Sequence, residues 1–424
     1  MIKNDIKVLR KLAKQYAEIA ADPVNEQNRK AWHALHNLKP ERCMFLIDEV
    51  PWQEMNVNNE LTNGCTDEIA VLLEDMLRRL IYRYKHFHDD FVHEPKLYVP
   101  MKINGIGPVS GYSTGYEAFQ YGIDAVDETR EVSDDNAVTS HHYSDLLQTE
   151  EDIEKIKYPD LTLNEEVTNR RAEIAHEAFD GILEVIMDGY IPWLNTWDDL
   201  IVWRGLDNVL VDMIADPDLV HKTLERITDV KLVGLRQLEE RGLLGHTPQL
   251  VHTCGAWCDD LPAEGYDPNK PRAKDVWTYG MAQILTEVSP AMHKEFEFDY
   301  AKRWYGLFGH GYYGCCEPLD DRMDLVKEIP NLLKISVSAW VKDYDRFAEE
   351  LAGEYVYSCK PSPAYLTEAG WNPGDIEKNL RHMYDAAKRH DCAMEFTLKD
   401  ISTVDYHPEH IWKWAEIMRK IINE

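Results

Sequence analysis

Nowhere in the 424 residues do about 18 apolar residues run together, so no helix is expected to cross a membrane. Basic residues are scarce: 46 Lys and Arg stand against 76 Asp and Glu, a net charge of −30. A nucleic-acid binder gains affinity by neutralising phosphates with cations, and anionic membrane surfaces attract basic segments. The sequence therefore predicts no nucleic-acid partner and no membrane partner. Its start, Met1-Ile2-Lys3-Asn4-Asp5, leads into an amphipathic pattern instead of an apolar signal, so a cytoplasmic location is expected. There is no internal repeat and no low-complexity tract. The glycines of Gly105-Ile106-Gly107-Pro108 are only superficially like a dinucleotide fingerprint, because Pro108 and the lack of a following helix argue against one.

What is present is ordinary globular material, 44% apolar and 29% charged, and a chain of this length can bury a large core without disulfide or metal staples. The eight cysteines are expected to be thiols in a reducing compartment. Clustered thiols there point to metal binding or catalysis.

Apolar residues at helical spacing (Ile6, Leu9, Leu12, Ala13, Tyr16, Ile19) make residues 1–40 an N-terminal helical extension. Strands are predicted at 42–47, 96–100, 249–254, 311–316, 332–337, 355–359 and 393–398, and helices at 66–88, 150–186, 216–242, 289–308, 320–329, 344–351, 375–390 and 408–422. The stretch 103–145, rich in Gly, Ser and Asp, is expected to be a long functional loop. Regular alternation of this kind calls for a parallel sheet with crossover helices. The expected class is α/β, a (β/α)8 TIM barrel over 41–424, with a doubly wound open sheet as the alternative.

In such a barrel the reacting groups stand at the carboxyl ends of the strands. Those positions select Asp48, Asn195 and Trp197 as candidate substrate contacts. Glu317, Tyr313 and His310 are the candidate acid, base or orienting groups. His252 and Cys254, two apart on a predicted strand, are expected to point the same way. Imidazole and thiolate are zinc's preferred donors, so His252, Cys254, Cys315, Cys316 and Cys359 form the candidate metal set. Adjacent Cys315 and Cys316 on one strand should diverge, so that at most one faces the mouth unless the chain turns at Gly314. Satisfied core residues remain the alternative at each position.

At these residues the chain resembles the uroporphyrinogen decarboxylase superfamily. Tyr313-Gly314-Cys315-Cys316 is similar to the H-x-C-G motif of its corrinoid-dependent methyltransferase branch, and Cys359-Lys360-Pro361-Ser362-Pro363 stands where the family carries G-N-x-D-P. Val288-Ser289-Pro290 with Phe296 and Tyr300, the acidic run Glu150 to Ile156, Trp203-Arg204-Gly205 and Asp216-Pro217-Asp218-Leu219-Val220 extend the likeness over roughly residues 40–424. Two positions depart from the branch: Tyr313 stands at its histidine, and its last cysteine falls near Leu398 and Lys399.

The resemblance implies a barrel that moves a methyl group between a small molecule and cobalamin carried on a separate corrinoid protein, assisted by zinc. A methyl ether, giving O-demethylation, is one such donor, and a homodimer is compatible with this reading. Porphyrin decarboxylation is discounted, because acidic Asp48-Glu49 follow the first strand where that activity needs arginines. The alternatives are a metal-free decarboxylase or lyase of the same superfamily and a non-catalytic small-molecule-binding barrel.

Overall fold

The computed structural model describes residues 2–108, 117–128 and 142–424. Eight strands carry the architecture: β1 (Met44–Ile47), β2 (Lys96–Pro100), β3 (Glu184–Asp188), β4 (Trp277–Gly280), β5 (His310–Tyr313), β6 (Leu332–Ser338), β7 (Val356–Lys360) and β8 (Met394–Leu398). Six form one parallel sheet in the order β1-β8-β7-β6-β5-β4, and β2 and β3 form a separate parallel pair. The chain just beyond β3 meets the sheet at one parallel bridge, Leu194 to Gly280. Among the described residues no ladder joins β1 to β2. The fold is thus mixed α/β with a six-stranded parallel core, and the expected closed barrel is not shown.

The crossover helices start where the sequence supplies caps. Asp216 accepts from the Leu219 amide ahead of Pro217–Glu240, Asp343 from the Arg346 amide ahead of Tyr344–Leu351, and Asn372 from the Gly374 amide ahead of Pro373–Arg389. Their apolar stripes pack on one face of the sheet, where Phe45, Tyr313, Ile335, Val337, Tyr357, Phe396 and Leu398 belong to a single large core. The first helix, Ile2–Ala20, packs beside β2 with Glu68–His86 and Glu165–Phe179. The second, Pro23–His36, sends Ala31, Trp32 and Leu35 against Met44, Val356 and Ala393 near the amino ends of β1, β7 and β8. Gly255 is what lets Trp32 in: a Cβ there would lie 2.7 Å from the indole ring.

Three expectations change. The segment 150–186, read as helix, is a 3-10 turn, the helix Glu165–Phe179 and then β3. Residues 249–254 are not a barrel strand but a small antiparallel hairpin, Leu250–Val251 with Cys254–Gly255. Its turn residues His252 and Thr253 have φ of 40° and 69°, so they break the extended alternation that was to aim His252 and Cys254 together. The strand expected over 311–316 ends at Tyr313. Of the stretch 103–145, the described parts hold short antiparallel strands such as Ile106–Pro108 with Glu117–Phe119, and 109–116 and 129–141 lie outside the described residues.

Candidate active site at the carboxyl ends of the strands

The sheet is buried on both faces, yet along β6, β7 and β8 polar residues recur at every second position. Lys334, Ser336 and Ser338 alternate along β6, Ser358 and Lys360 along β7, and Glu395 and Thr397 along β8, with Lys399 just beyond it; all are buried. Side chains two apart share a face, so these groups collect on the face away from the large apolar core. Buried charges must be paired, and here they are. Lys334 donates to Glu395 at 2.9 Å, Ser358 donates to Glu395 at 2.6 Å, and Lys360 donates to Ser358 at 3.1 Å and to the Cys254 sulfur at 2.6 Å. Burial works against the Glu395 charge, but Lys334 and Lys360 hold its carboxyl below the usual value.

Toward the carboxyl ends this polar face opens into a cavity of about 440 Å³. Gly314, at φ 97°, turns the chain out of β5, and a Cβ there would sit 2.9 Å from both Leu319 and Ser336. The turn carries Cys315 and Cys316 off the strand, so their sulfurs do not diverge: they lie 3.7 Å apart and both line the cavity. Glu317 fixes this turn, accepting the Cys315 amide at 2.9 Å and the Ala282 amide at 3.1 Å. Asp400 faces the pair from the end of β8, 3.7 Å from the Cys316 sulfur. Its φ of 54° is left-handed, a strain common at functional sites, and its amide donates to Glu49 at 3.1 Å. Lys399 donates to the Cys315 sulfur at 3.1 Å and also to Asp400.

The electrostatics follow from this packing. The neighbouring Cys316 and then burial push the Cys315 thiol well up, against the pull of Lys399. Burial disfavours the Lys399 charge, yet Cys315, Asp400 and Glu49 together hold the ammonium well above the usual lysine value. Burial raises Asp400, and Lys399 overrides it and keeps the carboxylate below its ordinary value. Burial, then Lys399 and Lys360, hold His252 neutral, well below its ordinary value. Its Nε2 is buried without a hydrogen-bond partner.

The donor set fits a soft divalent ion. The ligand atoms of Cys315, Cys316 and Asp400 all lie within 4.8 Å of one another. Thiolates and a carboxylate would balance its charge, and His252, with its orphaned Nε2, stands in the field of the same lysines. The other predicted residues are elsewhere. Cys359 is on the opposite face of β7, donating to the Met383 sulfur at 3.4 Å among helix side chains, and burial pushes its thiol up. Cys254 lies deeper on the polar face with Lys360 and Ser358. Tyr313 is on the apolar face, 3.0 Å from His293 Nε2. His310 starts β5, at the opposite end of the sheet from the cavity. Asn195 and Trp197 are buried at the start of the helix Thr196–Arg204, where Asn195 binds Asp199 at 2.9 Å and also accepts from Lys231. Asp48 continues the β1–β8 ladder through its amide, 2.9 Å from the Leu398 carbonyl, and does not line the cavity.

Lys334, Lys360 and Asp400 escaped the sequence reading. The signal was available for the first two: polar residues at every second position inside otherwise apolar runs. A wider trough of about 1170 Å³ lies near the N-terminal helices, but its Asp90 carboxylate is already taken by Arg42 and Arg419.

No protein-family model matches the chain, and no curated protein matches it. Among solved structures it is similar to a methyltransferase from Methanosarcina mazei, with TM-score 0.49 and 10% identity over 93% of this chain and 98% of that one. A likeness that distant carries no residue-by-residue correspondence to the cavity.

Proposed function

We propose that the eight parallel strands are a (β/α)8 barrel with a seam between β1 and β2, and that its mouth moves methyl groups. In this reading the chain is the substrate-handling component of a corrinoid-dependent methyltransferase, with zinc held by Cys315, Cys316 and Asp400. The observation that carries it is the convergence of two thiols, a carboxylate and Lys399 on one cavity at the carboxyl ends of parallel strands, where such folds place their reactions. The sequence resemblance supplies the methyl chemistry. A bound zinc would act as a Lewis acid on an ether or alcohol oxygen.

The chain's own residues do the rest. Ser338, Lys360 and Ser362 offer polar contacts along the cavity, and Trp340, 70% exposed at its rim, offers a flat apolar face. Cobalamin on the partner protein would supply the electron pair that takes the methyl carbon; the ether oxygen keeps its bonding pair and takes its proton from the Lys399 ammonium. Burial keeps bulk water from competing for that proton.

The test is metal analysis of the purified protein together with methyl transfer from a panel of methyl ethers to free cob(I)alamin. The expected result is about one zinc per chain at this cavity, with that equivalent of metal and transfer both lost in Cys315→Ser. Full activity in metal-free protein would overturn the zinc assignment, and no transfer from any ether would overturn the O-demethylase reading. A second reading rests on Lys399 itself: its ammonium already bridges Cys315 and Asp400 and could serve a metal-free lyase. Activity on carboxylate substrates, undiminished by chelator, would favour it.

A further inference from the structure

A second group of metal donors lies at the other end of the sheet, independent of the reading above. Cys258 and Asp260 come from the segment after the hairpin strand Cys254–Gly255, and His310 opens β5. Asp260 Oδ2 is 2.8 Å from His310 Nε2, and the ligand atoms of all three residues fall within 4.8 Å of one another. Cys258 and His310 are half-buried and Asp260 is exposed, so solvent reaches one side only.

Two buried polar atoms in the wall behind this group have no hydrogen-bond partner: the Trp277 indole Nε1 and His36 Nε2. Trp277 is fully buried, with its ring 4.8 Å from His310 and 5.2 Å from His36. A metal-bound thiolate at Cys258 would give the partnerless Trp277 indole N–H an acceptor. A plain His–Asp ion pair has no use for a half-buried thiol or for that indole.

We propose that Cys258, Asp260 and His310 form a divalent-metal site of zinc type that ties the segment after the hairpin to the start of β5. A thiolate and a carboxylate neutralise the ion, the neutral imidazole is the third donor, and the open side takes water. The placement, at the amino ends of the strands and away from the cavity, suits a clamp for the fold and not the reaction.

Cobalt(II) titration of the full-length Cys315→Ser/Cys316→Ser protein isolates this site, because the cavity thiols are gone. The expected result is about one equivalent bound with a near-ultraviolet thiolate-to-cobalt band, and zinc displaces it. Adding Cys258→Ser should abolish the band, and adding His310→Gln should weaken cobalt binding at least about tenfold. Cobalt binding without a thiolate band, or a band that survives Cys258→Ser, overturns the proposal. If the double variant does not fold, the same titration of the wild type against Cys258→Ser decides it by the loss, or not, of one thiolate-bearing equivalent.

Discussion

The two faces of the six-stranded sheet are equally buried and built from opposite materials. One carries Phe45, Ile335, Val337, Tyr357, Cys359 and Phe396 against the helices. The other carries Lys334, Ser358, Lys360 and Glu395, so that removing water there means desolvating charges. The apolar face gains stability by transfer of area from water. On the polar face the ion pairs roughly offset their own desolvation at best. A parallel sheet covered on both sides normally reads as near-continuous apolar runs, so the polar alternation has no structural return. Its return is the cavity at its end, where Lys399 and two thiols meet. In the proposed reading, charge placed where it costs stability marks the working side of this molecule.

The contrast is broken most severely at the middle of the polar face. Lys334→Met strips buried Glu395 of its ion-pair partner, leaving it the Ser358 hydroxyl and the field of Lys360, and is expected to cost about 3–5 kcal/mol in urea unfolding. The double variant Lys334→Met/Glu395→Leu should return most of that loss, because an apolar pair of similar size has no charge to desolvate. If the double variant is as unstable as the single one, the polar face is a packing feature and the contrast drawn above fails.

Next comes a comparison of thiols. Cys315→Ser should lower methyl transfer by at least about 100-fold, equivalent to about 2.7 kcal/mol, with little change in unfolding midpoint. Cys359→Ser, on the other face, should leave transfer unchanged and lose about 1 kcal/mol of stability through a hydroxyl buried among apolar groups. Steady-state rates and denaturant midpoints of the two variants, measured together, separate the roles.

Acid sharpens the comparison further, because each face holds a buried neutral histidine. Burial, then Arg322, lowers His293 on the apolar face to about 3, and burial, then Lys399 and Lys360, lowers His252 on the polar face. A folded-state value below the unfolded one means that protons bind the unfolded chain first. Stability is therefore full above about pH 6.5 and falls as pH drops toward the folded value, by about 1.4 kcal/mol per pH unit for each such group. Thermal midpoints of wild type and His293→Gln between pH 7 and 5 should converge as the pH falls. Parallel curves would show that His293 does not carry this dependence.

Much of the strand pattern was legible because long apolar-rich runs such as 332–337, 355–359 and 393–398 identify themselves. Two strands were not. Trp277-Thr278-Tyr279-Gly280 is too short to show a period, and Glu184–Asp188 follows a helix without an interrupting Pro. At the site, the thiols were legible as residue types at strand ends, but their orientation was not. Whether Cys315 and Cys316 diverge depends on Gly314 leaving the strand at positive φ, and glycine permits that geometry without announcing it. The expectation for His252-Thr253-Cys254 failed for the same kind of reason, two non-glycine residues taking up left-handed backbone where extended alternation was assumed.

The pairing of β1 with β8, Met44 opposite Glu395, bears on how the protein is made. During synthesis β1 emerges long before its partner, with the other strands of the sheet between them. At about 5–20 residues per second the interval is on the order of tens of seconds. Through that time β1 is an uncovered edge of apolar residues, Met44 to Ile47, the kind of strand that recruits a neighbouring chain. The Asp90 carboxylate also waits, since Arg419, which donates to it at 2.7 Å, belongs to the final helix Glu409–Asn423. A nascent chain arrested before Met394 would lack the partner of β1 and the counter-charge of Lys334 at once, so its half-built sheet should aggregate instead of folding in part.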